Sequence, residues 1–421
     1  MSTQRALTLV TPVLPECMTQ LASVLKELQC SINNGTFTEV ERLGTIHYFR
    51  LVLLEGKLST AQTNLMLSLD YDGEEDQQLT NFAADCPAIV DMIYECCADY
   101  MAPTERTPVS RKNYLKKWIN NVAAFYVGAP GRSLKQVKQE SALRDHIWNL
   151  IRTNDWDGKT AKEVHGAIRQ QVMGLPEFEW TRERVPVQKV KWWNFVLVAV
   201  VALLLLPLTL LFVVVAVIWI VVLQIFHERK DKSLGLNLSQ VDGDFIRNLE
   251  QDEDYFNQNQ FSQIIPMKPG KMRLITLKAL MIYARFRCHN EFVKGELMGI
   301  PTIHFARWVL LDDNKTVLFL SNFDGSWQQY LGDFIDKSGW GLTAIFSNTV
   351  NFPPSRYLFW GGAYDEEHFL AWARYYLIRS QVWYCACPKL SIKNINTNTL
   401  IRTELIRDLN ETQAQTFLNR F

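Results

Sequence analysis

The segment TIHYFRLVLL at residues 45–54 recurs 257 positions later as TIHFARWVLL at residues 302–311. Seven of the ten positions are identical, and further matching blocks keep the same order along both halves of the chain. These blocks pair residues 12–15 with 266–269, residues 71–73 with 323–325, and residues 125–126 with 383–384. Collinear matches at nearly constant spacing indicate two diverged copies of one domain.

Each copy reads as β-α-β-β-α-β, with strands rich in β-branched and aromatic residues and helices with apolar stripes. The second copy adds a strand at 356–360 and a helix at 366–378. We expect Asp72 to cap the helix that starts at Gly73, because a short carboxylate favours a helix N-terminus.

This element order predicts an α+β fold of the ferredoxin-like type, with helices on one face of an antiparallel sheet. The strand at 46–54 is apolar on both faces, so its second face also needs a cover. We therefore predict that the two repeats pack sheet to sheet as an intrachain pseudo-dimer. Successive side chains of this strand point to opposite faces of the sheet. One face should therefore carry Ile46, Tyr48, Val52 and Leu54, and the other Phe49, Leu51 and Leu53.

Residues 195–226 form an uncharged apolar run flanked by Trp192, Trp193 and basic residues. A run of this length is a candidate membrane segment, since about 20 apolar residues span a bilayer. We expect a transmembrane or re-entrant hairpin broken at Pro207, because proline removes a backbone donor; a single kinked span is the alternative. The basic residues on both flanks favour cytoplasmic repeats.

The predicted domains are repeat 1 at 1–150, a linker at 151–191, the membrane segment at 192–226, a linker at 227–261 and repeat 2 at 262–421.

The chain has 44 Lys and Arg residues against 44 Asp and Glu residues. Because the net charge is zero and no basic block stands out, nucleic acid is not an expected partner. The eight cysteines include no CxxC pair, which favours free thiols in a reducing compartment.

Element order and duplication resemble the dimeric α/β-barrel superfamily, which includes chlorite-dismutase-like and dye-decolourising-peroxidase-like haem proteins, small monooxygenases and non-enzymatic modules. Residues 69–73 and 321–325 retain the Asp-Gly pair of the peroxidase GxxDG motif, with Leu69 and Ser321 in place of its first glycine. The resemblance implies two halves joined in one barrel, and its haem-binding members make haem a candidate cofactor.

His47 and His304 are the candidate catalytic or metal-ligating residues, because both repeats carry them and imidazole ligates haem iron or acts as a base. The alternative is a buried histidine that stabilises each copy. Arg50 and Arg307 are candidate ligands for an anion, or else partners of a carboxylate. Residues three apart on a regular strand face opposite ways, so His47 and Arg50 share a site only if a bulge turns one of them.

Two functional hypotheses follow from these residues. In the first, a membrane-anchored domain binds haem or an apolar, lipid-derived ligand for redox chemistry. In the second, the protein is a non-enzymatic membrane scaffold that recruits a soluble partner. The expected partners are the lipid bilayer and either an apolar small molecule or a soluble protein.

Overall fold

The computed structural model describes residues 4–58, 62–183, 189–241 and 257–421. Parts of both predicted linkers, 184–188 and 242–256, lie outside these residues. Residues 59–61, in the polar connection that follows the strand predicted at 46–54, also lie outside them. The described residues form an α+β protein with antiparallel sheets and a long apolar helix, which confirms the predicted class.

The first half of the chain contains, in order, β1 (Gln4–Pro12), α1 (Met18–Asn33), α2 (Thr38–Leu43), β2 (Ile46–Leu54), β3 (Asn64–Asp72), α3 (Glu75–Asp85), α4 (Pro87–Tyr94), α5 (Pro108–Lys117), β4 (Val122–Val127), α6 (Leu134–Thr153) and α7 (Ala161–Met173). The apolar segment contains α8 (Trp192–Leu204) and α9 (Leu206–Phe226).

The second half contains β5 (Gln258–Pro266), α10 (Lys271–Asn290), β6 (Ile303–Leu311), β7 (Thr316–Asp324), α11 (Trp327–Phe346), β8 (Ser355–Arg356), β9 (Trp360–Gly361), α12 (Glu366–Tyr375), β10 (Val382–Cys385), α13 (Ile392–Leu405) and α14 (Glu411–Leu418). The extra strand predicted at 356–360 is instead the short β8–β9 pair. Tyr357 and Leu358 turn between these two strands with φ of 49° and 69°, which a continuous strand does not allow.

The two halves exchange their last strands. One sheet has the order β1-β3-β2-β10 and the other the order β4-β6-β7-β5, so each contains three strands of one half and one of the other. Short bridges also join the sheets at both ends. The Asn120 amide donates to the Thr8 carbonyl at 2.8 Å, and the Ile378 amide donates to the Ser262 carbonyl at the same distance.

The space between the sheets is filled in layers. All nine residues of β2 are buried, as expected for a strand covered on both faces. One end of the interface is a cluster of aliphatic side chains contributed by both sheets: Val52, Leu54, Met66, Ile264, Val309, Leu311, Leu318 and Leu320. Helices α1, α3 and α4 cover the outer face of the first sheet, and α10, α11 and α12 cover that of the second.

The apolar segment is broken into two helices at Leu205, two residues before the predicted position. Pro207 lies in the first turn of α9, where its missing N–H needs no partner. Thr209 closes the bend, because its hydroxyl donates to the carbonyls of Ala202 and Leu205 at 2.9 and 3.1 Å. Leu206–Lys230 is long and apolar enough to cross a membrane, and little of it is buried against the protein.

The strand exchange predicts that neither half of the chain is stable alone. Fragments 1–188 and 189–421 should each aggregate or unfold when expressed separately in detergent, because each would expose a β2 or β6 edge and an apolar sheet face. Co-expressed fragments should purify as a 1:1 complex with one cooperative unfolding transition. Cooperative unfolding of either fragment as an isolated monomer would contradict this prediction.

Candidate functional site

His47 and His304 both lie at β-bulges. The register between β2 and β3 shifts between Ile46 and Tyr48, and the register between β6 and β7 shifts at the equivalent position. A bulge changes the direction of the side chains that follow it. Ile46 therefore joins the outer core with Phe49, and its predicted place beside Tyr48 and Val52 is wrong.

The bulges bring His47 and His304 into one small cavity between the sheets. The His47 ring contacts the Phe305 ring with centroids 5.3 Å apart, and the His304 ring is 5.9 Å from that of Tyr48. Residues from both halves of the chain line the cavity, including Gln4 and Gln258, Leu134 and Ile392, and Val137 and Ile395. The two histidines therefore lie where the two halves of the chain meet.

Each histidine faces an aspartate from the same half of the chain. His304 Nε2 lies 2.7 Å from Asp324 Oδ1, and His47 Nε2 lies 3.1 Å from Asp72 Oδ1. The second pair is at ion-pair distance, but its angles do not meet the criteria for a hydrogen bond. Both imidazoles are thus oriented by carboxylates.

The same aspartates bind the N-termini of distant helices. Asp72 Oδ2 accepts from the Leu134 amide of α6 at 2.6 Å, and Asp324 Oδ2 accepts from the Ile392 amide of α13 at 2.8 Å. The prediction that Asp72 caps the next helix is wrong, because α3 begins after Glu74 and has no side-chain cap. Each aspartate instead fixes the helix that follows the last strand of its half of the chain.

The geometry around the histidines does not fit haem. The free volume between them is about 20 Å³, room for roughly one water molecule. The Nε2 atom of each imidazole also faces a carboxylate, so neither Nε2 atom is directed at a ligand-sized space. Within the described ranges, no group of three or more His, Cys, Asp or Glu residues could hold a metal ion.

Arg50 crosses from the first sheet to the backbone of the second. Its guanidinium donates to the carbonyls of Phe261 and Ser321 at 2.8 and 3.0 Å. It also donates to the Ser262 hydroxyl at 2.8 Å and to the Asn322 amide oxygen at 2.7 Å. All four acceptors are neutral.

Arg307 makes the equivalent contacts in the opposite direction. It donates to the carbonyls of Leu7 and Leu69 at 2.8 and 3.0 Å, and to the Thr8 hydroxyl at 3.2 Å. Its fourth acceptor is the Asp70 carboxylate at 2.5 Å. The two terminal nitrogens of each arginine therefore make four hydrogen bonds within the protein, which together use all four of their N–H donors.

Asp70 is the one carboxylate among these contacts. The Asn322 amide donates to its second oxygen at 3.0 Å and so links the two guanidinium groups. The pKa of Arg50 is lowered to about 9, mainly by burial; the Asp70 carboxylate opposes this decrease and the nearby Arg307 cation adds to it. Both guanidinium groups remain charged at neutral pH, so two buried cations share one anion.

Asp70, Asn322, Thr8 and Ser262 were absent from the sequence-based candidates, although they carry most of the polar contacts. Their spacing offered a signal, since Asp70 and Asn322 occupy matching positions two residues before the paired Asp72 and Asp324. That Arg50 and Arg307 bind an anionic ligand stays a prediction. The alternative, pairing with a carboxylate, describes only Arg307. His47, His304, Arg50 and Arg307 all lie between the sheets, but the two types of residue form separate layers.

Comparisons of the chain with protein-family models, with curated proteins and with solved structures give no match.

The shared carboxylate predicts a large effect of one isosteric change. Asp70→Asn should lower the free energy of unfolding by about 3–5 kcal/mol, because it leaves two buried cations without an anion. The matched control is Asp76→Asn, which removes an exposed carboxylate paired with Lys112 and Lys116 and should change stability little. Denaturant unfolding in detergent measures both, and equal effects of the two substitutions would contradict the prediction.

Proposed function

We propose that the chain is a non-enzymatic membrane scaffold built on two ferredoxin-like repeats of the dimeric α/β-barrel type. The observation that carries this proposal is the filled interface between the sheets. The arginine contacts and the aliphatic cluster occupy its interior, and the twin histidines leave space for about one water. A redox domain of this architecture needs a substrate-sized or cofactor-sized cavity at that place.

The strand pairing supports a pseudo-dimer of repeats. β10 pairs with β2 and β4 pairs with β6, so each repeat contributes an edge strand to the sheet of the other. The bridges at Thr8 and Ser262 lie between the remaining edge strands, and closure there would give the proposed ring of eight strands. The reciprocal contacts of Arg50 and Arg307 are consistent with an approximate twofold axis between the repeats.

Contacts at both ends of the apolar segment support a re-entrant anchor. The Phe195 ring contacts the Phe286 ring of α10, and the Trp219 indole N–H donates to Thr276 of the same helix at 2.9 Å. Residues 276 and 286 are about 15 Å apart along α10, whereas a straight helix from 195 to 219 would extend about 36 Å. The segment therefore folds back toward the protein.

The lengths of the two arms favour shallow insertion. α8 has 13 residues and α9 has 21, which correspond to about 20 and 31 Å of helix. The first arm is too short for a hydrocarbon core of about 30 Å, so the proposed anchor enters and leaves through one face of the bilayer. Trp192, Trp193 and Trp360 are 67%, 82% and 62% exposed near the two ends, as expected for side chains at the headgroup level.

The surface around α1, the counterpart of α10 in the other repeat, remains open to solvent. A groove of about 530 Å³ lies there between α1 and the segment that leads into β10. Its lining combines apolar Leu25 and Leu53 with polar Gln29 and Ser380, a mixture typical of non-obligate protein interfaces. We assign the contact with a soluble partner to this groove.

Haem titration distinguishes the scaffold from the redox alternative. The detergent-purified chain should be colourless, and added hemin should give the same spectrum with wild-type protein as with His47→Ala and His304→Ala. Both variants should unfold at lower denaturant concentration, because each leaves Asp72 or Asp324 without its partner. A stoichiometric Soret band that disappears in one variant while stability is retained would overturn the scaffold proposal.

Cysteine accessibility in intact cells tests the proposed topology. Single cysteines introduced near Gln139 in α6 and near Gln258 at the start of β5 should resist a thiol reagent that cannot cross the membrane, because both repeats are proposed to be cytoplasmic. Both should react once the cells are opened and the protein is denatured. Labelling of only one site in intact cells would mean that the repeats lie on opposite sides of the membrane.

A further inference from the structure

A narrow apolar cavity lies between α10 and α11, outside the interface between the sheets. Its volume is about 70 Å³, and its lining includes Leu280, Ala284, Met298, Trp308, Phe334 and Gly341. Two of the polar side chains at this place are already paired, because Ser338 donates to the Phe334 carbonyl at 3.1 Å and Arg287 is held by Glu291 and Tyr283. The buried indole N–H of Trp308 has no hydrogen-bond partner among the described residues. The exposed lining is almost entirely apolar and therefore suits hydrocarbon.

A kink in α11 creates this space. Ser338 has φ of −141° and ψ of 21°, which interrupts the helix in its middle. Gly341 then faces Met298, and a Cβ atom at this glycine would meet the Met298 side chain at 3.7 Å. The bend at Ser338 and the absence of a side chain at Gly341 leave a gap between α11 and α10, and no other described side chain fills it.

The cavity is next to the proposed membrane anchor. Ala344, which lines it, belongs to the same buried cluster as Leu223 of α9, and Leu280 packs against that cluster. Tyr283 and Trp340 at its edge are 45% and 37% exposed. Ile275 and Ile282 extend the apolar surface along α10 with exposures of 52% and 70%. A surface of this kind favours contact with lipid over contact with water.

We propose that this cavity holds part of an acyl chain of a bilayer phospholipid. The inference rests on the proposed membrane anchor, since the hairpin would bring the opening to the level of the acyl chains. By comparison with an apolar cavity of about 150 Å³ that holds benzene, the volume accommodates about three methylene groups. The bound chain fills the space beside the kink and fixes α10 against α11.

Photo-crosslinking tests this site. The full-length protein is reconstituted in phosphatidylcholine vesicles that carry a diazirine on one acyl chain, and adducts are mapped by mass spectrometry. We expect adducts in residues 280–287 and 338–345, as well as in the hairpin. Ala284→Leu fills the cavity and should reduce the adducts in these two segments about tenfold. Ala279→Leu makes the same change on the exposed face of α10 and should leave them unchanged.

Each result separates the lipid site from the anchor. Adducts confined to the hairpin, or equal adducts in the Ala284→Leu and wild-type proteins, would overturn the acyl-chain site while leaving the anchor intact. Labelling by a diazirine fatty acid but not by the phospholipid would overturn the bilayer lipid as the occupant. Failure of the protein to float with vesicles would instead contradict the membrane anchor itself.

Discussion

Two guanidinium groups that reach across the space between the sheets bind each half of the chain to the backbone of the other. Arg50 and Arg307 each satisfy two carbonyl groups and two side chains on the opposite sheet. Such contacts need accurate geometry, because a buried cation without acceptors costs several kcal/mol. They therefore fix the separation and register of the sheets more strictly than aliphatic packing can, since a shifted apolar side chain still finds neighbours.

The positions of the histidines and aspartates follow from this register. With the sheets fixed, the bulges place His47 and His304 beside Asp72 and Asp324, and these aspartates hold the first turns of α6 and α13. Each aspartate thus connects a histidine on one side, by a hydrogen bond for Asp324 and at ion-pair distance for Asp72, with the start of a helix on the other. In this structure His47 and His304 take part in a connection between a strand and a helix, and a catalytic role for them stays a prediction.

Much of the fold was predictable from the repeated segment at 45–54 and 302–311. It located β2 and β6, and the matched blocks around it located most other elements. The bulges were not predictable, because TIHYF and TIHFA alternate like any regular strand, and the face of Ile46 was therefore assigned wrongly. The exchange of β4 and β10 between the two sheets was also not predictable from the sequence. A strand needs the same apolar pattern whether it pairs within its own half of the chain or with the other half.

The candidate site was predictable only in part for a related reason. Repetition identified His47, Arg50 and their counterparts as residues of interest, but it carried no information about what each side chain contacts. Asp72 illustrates the problem: a carboxylate before glycine favours the adjacent helix, and only tertiary structure places the start of α6 within its reach. Asp70 and Asn322 went unnoticed because the two positions differ between the copies, although that difference matters most for the charge balance.

The difference between Asp70 and Asn322 makes the charge buried between the sheets depend on which halves associate. Two copies of the first half would bury two guanidinium groups with two carboxylates, and two copies of the second would bury two cations among amides alone. Only unlike halves give the arrangement of two cations, one anion and one amide. The halves of neighbouring molecules satisfy that condition as well as those within one chain. Exchange of halves between neighbouring chains would therefore preserve the same buried charges and would link chains into larger assemblies without any new interface.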